Sequence, residues 1–276
     1  MLRNLYSRKF FAHLREGSAG SARAFVPMVL TIHPARSMID IGCGIGGWVK
    51  AFADQGVSAV GIDGDYVDRQ QLLIPQDRFV AHDLNRELDV AGLCRRYGDK
   101  DTGRFDLAIS LEVAEHLEPA RSDSLVRDLC GLADVVLFAA AIPFQGGAGH
   151  INERWQSWWA QKFFENGYDP FDVLRREIWG RRDIAWWYKQ NTIIYVKRNS
   201  AAHAQFSARS AQPAGTMFDL VHPELFRGKA ARLKHGNIVQ KLLNRYRRSA
   251  GGPRAQAFET PLHGDESWQR DGKPKS

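Results

Sequence analysis

The run SMIDIGCGIGGW at residues 37–48 leaves this chain few folds to choose from. An apolar stretch, 37–41, is cut off by Gly42, Gly44, Gly46 and Gly47, and a helical pattern follows over 48–53. The order is that of a buried strand, a glycine turn and a helix. Glycine lets backbone turn sharply and approach a ligand without Cβ clashes. The helix behind such a turn offers unpaired N–H groups and the positive end of its dipole. A ligand carrying an anionic group or a carboxylate is therefore expected. The spacing of Gly42, Gly44 and Gly47 also satisfies G-x-G-x-x-G, a pattern shared with dinucleotide sites, so the turn alone does not choose the cofactor.

The rest of the chain repeats the alternation. Strand-like runs fall at 37–41, 59–63, 78–83, 105–111, 135–141, 173–178 and 192–197, with helical patterns at 46–54, 67–73, 86–97, 119–132 and 155–166. Such alternation predicts a doubly wound α/β fold with parallel strands, right-handed crossovers and helices on both faces. The last two runs are joined by a short aromatic-rich segment, which predicts an antiparallel final strand. Residues 1–36 read as a cap of one or two helices, broken at GSAGSA (17–22), a small-residue stretch able to lie over a ligand or serve as a plain connector.

Two acids extend the ligand reading. Asp63 ends the run SAVGID, where a carboxylate can accept both hydrogen bonds of a ribose diol. Asp83 ends RFVAHD, where it could read an adenine amino group. Together Asp40-Ile-Gly-Cys-Gly-Ile-Gly46, Asp63, Asp83 and LAISLEVAEHL (107–117) resemble the ordered motifs of class I S-adenosylmethionine-dependent methyltransferases. The resemblance spans roughly 6–198 and implies a seven-stranded Rossmann-like sheet ordered 3-2-1-4-5-7-6. It also implies S-adenosyl-L-methionine as cofactor. Asp40 would contact the methionine end, Gly42, Gly44 and Gly46 would make room for it, Asp63 would hold the ribose and Asp83 the adenine. Gly64, Leu84 and Ser110 complete the expected shell. The E-V-x-E-H-L element at 112–117 resembles the subgroup acting on small molecules and sugars.

Methyl transfer from a sulfonium needs chiefly alignment, and a hydroxyl acceptor also benefits from a base. Candidates must lie at the carboxyl ends of strands four and five. His116 follows strand four, and His150 follows strand five in a glycine-rich loop. Either suits proton transfer near neutrality, and either could instead fix its loop. Glu112 is expected to line the pocket, Glu115 to cap a turn and Glu153 to orient His150. No metal is expected: the set His150, Asn152 and Glu153 lacks a second cluster to complete it. Six of the eight tryptophans lie between Trp155 and Trp187, with Trp155, Trp158 and Trp159 at helical spacing. They read as packing, and as a surface on which a sugar ring can stack.

Charge divides the chain. Residues 201–276 hold 13 Lys/Arg against 6 Asp/Glu, which accounts for the whole net charge of +7. Residues 37–199 are expected as the catalytic domain. Residues 200–276 are expected as a basic, largely disordered tail with an island at 217–226 and an amphipathic helix over 234–248, suited to an anionic surface or a protein partner. Cys43, Cys94 and Cys130 form no C-x-x-C pair, so neither a disulfide framework nor zinc is indicated. No apolar run is long enough to cross a bilayer, and a cytoplasmic location is the expectation. The reading is an enzyme methylating a small-molecule or saccharide acceptor. The alternatives are a polymer such as RNA held by the tail, a nicotinamide oxidoreductase, and a cofactor-binding partner protein without turnover.

Overall fold

The structure is a computed structural model that describes residues 8–209 and 218–233, with side chains from residue 18 onward. Residues 1–226 form one unit and 227–276 a second. The helix expected over 234–248 lies outside the described residues.

Seven strands, β1 (Ser37–Ile41), β2 (Ser58–Asp63), β3 (Phe79–Ala81), β4 (Leu107–Leu111), β5 (Val135–Ala139), β6 (Tyr168–Phe171) and β7 (Ile193–Lys197), form one sheet. Their order is β3-β2-β1-β4-β5-β7-β6. The first five run parallel, and β7 runs antiparallel to both β5 and β6. Successive strand residues face opposite sides, as the pleat requires. Met38, Leu107 and Leu137 pack with helix α1 (Arg8–Ile32) and α2 (Gly47–Ala53) through Phe25, Val29 and Phe52. Ile39, Ala108 and Phe138 pack on the other face against α4 (Ser122–Leu132) and α5 (Gln156–Glu165), through Leu125, Leu129 and Trp159. Covering both faces is what buries β1, β4 and β5 along their whole length. The remaining helices are α3 (Val90–Tyr97), α6 (Arg175–Ile178), α7 (Trp186–Asn191) and α8 (Ala201–Arg209). Among the described residues, no helix is long and apolar enough to cross a membrane.

The local reading fails in four places. The run at 173–178 is helical, and the edge strand is β6, started by Gly167 at a left-handed φ of 85°. Pro170 is tolerated there because β6 pairs on one side only. The run at 67–73 yields one 3-10 turn at Arg69–Gln71, opened by the Asp68 side chain accepting from Gln70 N. The break at 17–22 is absent: α1 runs through it, because its small residues serve close packing. A Cβ on Gly47 would stand 3.5 Å from Ala19 Cβ. Ser18 and Ser21 hydroxyls accept from Tyr188 Oη and Ala185 N. Finally, the segment after Arg198 opens as α8, where Phe206 is buried and His203 meets Asp169 at 2.8 Å. The island at 218–226 docks through polar contacts: Asp219 caps Ser157 N, Arg175 donates to Phe218 O, and Gln190 Oε1 accepts from His222 N.

Candidate functional site

The glycine turn leaves β1 toward β2. Gly42 N and Cys43 N donate to Ile62 O at 2.8 and 3.1 Å, which folds the turn over the end of β2. Gly42 has a φ of 92°, and a Cβ there would lie 2.3 Å from Val113 Cγ2. Gly44 has a φ of 54°, and nothing lies within 4 Å of where its Cβ would be. Gly46 is the N-cap of α2 in the left-handed region, with no side-chain cap.

Two carboxylates bear on this turn, and a third opens the loop that packs on it through Val113. Asp40, 2% exposed, has an Oδ2 with no hydrogen-bond partner. Burial, and then the Asp63 carboxylate, hold its pKa well above the usual range. Asp63 accepts from Gly44 N and Gly64 N, each at 2.7 Å, and from the Tyr66 hydroxyl. Burial raises its pKa against those three donors. Glu112 opens the loop after β4 with a left-handed φ of 58°, uncommon for a residue with a Cβ. Its oxygens accept from Asn191 Nδ2 at 2.8 Å and Gln145 Nε2 at 2.9 Å. Gln190 completes this net by donating to both Gln145 and Asn191.

Other expected cofactor residues are placed differently. Asp83 lies beyond β3, exposed, accepting from Asn85 N at 3.1 Å and pairing with Arg86 at 3.6 Å. Leu84 is buried, and its carbonyl accepts from Arg121 Nε. Gly64 lies beneath the Tyr66 ring, and Ser110, fully buried, donates to Ile41 O at 2.9 Å.

The loops after β4 and β5 meet. Glu115 O accepts from Ile151 N at 2.8 Å and Asn152 N at 3.0 Å, and Asn152 Nδ2 donates to Ala114 O and Ser122 Oγ. This stitching brings His116 and His150 together, ring centroids 4.8 Å apart and planes at 88°. His150 Nδ1 lies 2.9 Å from Glu153 Oε1, which also accepts from Gly146 N. Burial, then His150, push His116 down to about 4, so its imidazole is neutral. Beside it Glu115 is fully buried, and burial together with Glu112 raises its pKa strongly. The sequence reading made Glu115 a turn cap. Its signal was present in the spacing: a second acid three residues after Glu112, inside an otherwise apolar LEVAEHL. Gln145, Gln190 and Asn191 carried no local signal, since only the fold carries them to Glu112.

The loop beyond β5 also exposes apolar side chains. Phe144 is 84% exposed with a φ of 67°, and Ile151 and Trp155 stand out of the same loop. The tryptophan face expected at 155–159 is divided: Trp155 is the extended N-cap of α5, Trp158 takes Arg154 and Lys162 over its ring, and only Trp159 enters the core.

A family model described as a methyltransferase domain matches residues 11–190. No curated protein matches the chain. Among solved structures, human N-acetylserotonin methyltransferase in complex with SAM is 14% identical, with 64% of this chain and 51% of that one covered and a TM-score of 0.44. This chain thus spans about half of that protein's length. Magnesium protoporphyrin IX methyltransferase from Synechocystis PCC 6803 with bound SAH is 16% identical over 71% and 92% of the two chains, with a TM-score of 0.45. The sugar N-methyltransferase KedS8 from Streptoalloteichus sp ATCC 53650 is 15% identical over 70% and 93%, with a TM-score of 0.50.

Proposed function

The chain belongs to the methyltransferase domain family, that of the class I S-adenosylmethionine-dependent enzymes, and from this premise we propose that it methylates a hydroxyl of a small polar acceptor, a sugar or glycoconjugate. The residues of the glycine turn fit the cofactor. Asp40 keeps an orphaned buried oxygen for its methionine end, and Gly44 leaves the space a Cβ would fill. Gly42 and Gly46 shape the turn, with Ser110 tying it to β4. Asp63 and Gly64 hold the ribose once the Tyr66 hydroxyl yields its place on the carboxylate, and Asp83 and Leu84 border the adenine. When bound, S-adenosylmethionine supplies a methyl carbon made electrophilic by the sulfonium.

The observation that carries the acceptor reading is the meeting of His116 and His150 where the loops after β4 and β5 join, with Glu112 opening the first of those loops, which packs on the glycine turn through Val113. We assign these three the activation of the acceptor hydroxyl, whose proton must leave as its oxygen takes the methyl group. His150 is held for this by Glu153, which fixes the tautomer and ring through Nδ1. Phe144 and Trp155 at the mouth supply flat apolar surface of the kind that stacks on a sugar ring. KedS8, named a sugar methyltransferase although for nitrogen, is consistent with such an acceptor.

The test is incubation of the full chain with methyl-labelled S-adenosylmethionine and a panel of free and nucleotide-linked sugars, with products mapped by mass spectrometry. Label on a sugar hydroxyl, lost in His150→Ala while cofactor binding persists, is expected. Label appearing only on RNA or on an amine would overturn the acceptor assignment.

A further inference from the structure

We propose that Glu115, His116 and His150 form a site for a divalent first-row cation at the acceptor side of the pocket. Each residue offers one ligating atom, and the three atoms lie within 4.8 Å of one another. The observation that asks for a ligand is Glu115. Its side chain is fully buried and neither carboxylate oxygen has a hydrogen-bond partner. Buried carboxylates are ordinarily paired, hydrogen-bonded or bound to metal, and the side chain that bears on Glu115 is a second acid, Glu112, with no cationic side chain among the described residues to balance the two. His116 Nδ1 is likewise buried without a partner.

The surroundings are those of a built site. His150 spends Nδ1 on Glu153, which leaves Nε2 for a ligand. A carboxylate behind an imidazole is the usual support of a metal-bound histidine. The two loops that carry the ligands are bolted together through Glu115 O and Asn152. Gly147 makes room: a Cβ there would lie 2.1 Å from His150 Nε2. Two imidazoles and one carboxylate make a donor set of the open type, with positions left for water or substrate. Metal–nitrogen bonds of about 2.0–2.1 Å put tetrahedral ligand atoms about 3.4 Å apart, so from 4.8 Å the cluster must close by up to about 1.4 Å, within reach of two half-buried histidines.

The set His150, Asn152 and Glu153 weighed from sequence does not form, because Asn152 is bonded to Ala114 and Ser122 and Glu153 stands behind His150. The missing ligands come from the other loop. The cation's use rests on the O-methylation reading above: a Lewis acid here lowers the pKa of an acceptor hydroxyl and gives a vicinal diol two points of attachment.

The probe is Co²⁺, titrated into the untagged, EDTA-treated full chain and followed by its visible d–d absorption and by calorimetry. One saturable site is expected. Glu115→Gln and His116→Ala should each weaken it more than about 100-fold, and Glu153→Gln by about 10- to 100-fold, the range for supporting residues. His203→Ala, on α8 and bonded to Asp169 of β6, should leave it unchanged, and retained S-adenosylmethionine binding certifies the fold of each variant. Absence of saturable binding below millimolar Co²⁺, or binding that survives both Glu115→Gln and His116→Ala, overturns the site. Sugar methylation unaffected by EDTA, together with no Co²⁺ binding, removes the cation and leaves the acceptor reading standing. Co²⁺ binding without any sugar methylation upholds the site and removes only the acceptor.

Discussion

Replacing Gly42 by alanine tests the turn at its tightest point. The backbone there has a φ of 92°, and the new Cβ would meet Val113 Cγ2 at 2.3 Å and Cγ1 at 2.7 Å. Left-handed backbone costs an L-residue about 1–2 kcal/mol, and overpacking a filled core costs about 1–3 kcal/mol. The variant should therefore lose about 2–5 kcal/mol, a large part of the 5–15 kcal/mol typical of a domain. The two contributions separate in a cycle with Val113→Ala. Val113 is buried, so losing its two methyl groups alone should cost about 1.5–2.5 kcal/mol. In the double variant the two γ-carbon clashes are gone, leaving the backbone strain and a 3.0 Å approach to the Cβ at position 113. The double should accordingly be more stable than the sum of the singles predicts by about 1–3 kcal/mol. Urea unfolding followed by far-UV circular dichroism, without cofactor, reads all four forms. Additivity within about 0.5 kcal/mol, or a single-variant loss below about 1 kcal/mol, would refute the assignment of strain to the Gly42–Val113 approach.

Gly44→Ala should part stability from binding: its φ of 54° is tolerated and its Cβ meets nothing within 4 Å, so stability falls by only about 1–2 kcal/mol. S-adenosylmethionine affinity by calorimetry should fall more than about tenfold, and equal affinity would show that the space is not the cofactor's. Asp40→Asn should stabilise the free protein while weakening cofactor binding, because burial raises the Asp40 pKa and disfavours its charged form. The sign follows from linkage: stability from the protonated carboxyl is full below the unfolded value near 3.9 and is lost as pH rises through the raised folded value. The gap between variant and wild type in thermal melts should thus widen from about pH 4 toward neutrality, and a pH-independent gap would refute it. Gly147→Ala places a Cβ 2.1 Å from His150 Nε2 and should displace the ring, lowering methyl transfer about 10²- to 10⁴-fold with cofactor affinity unchanged. Full turnover in that variant would take His150 out of the chemistry.

The sequence by itself determined the sheet and the cofactor turn. Both are local: a short, continuously buried run bounded by turn residues writes each central strand into its own residues, and the φ of Gly42, Gly44 and Gly46 is a property of those positions. Alternation of apolar runs with helical ones then calls for parallel strands joined by right-handed crossovers, and the family resemblance implies their order. Where the local signal was ambiguous, the tertiary structure decided. The run at 173–178 has strand-like apolar residues at its two ends, yet its charged middle becomes α6, while Gly167 starts the edge strand before it. The small residues at 17–22 resemble a break, yet α1 keeps them helical because they let it approach α2 and α7 closely. Glu115, His116 and His150 are the clearest case. Nothing within either segment says that the two loops meet, because the hydrogen bonds that join them run from Ile151 and Asn152 to a carbonyl in the other loop. A carboxylate becomes unusual only once it is buried without a donor. Burial is a property of everything packed around Glu115, and the chain in sequence order does not contain it.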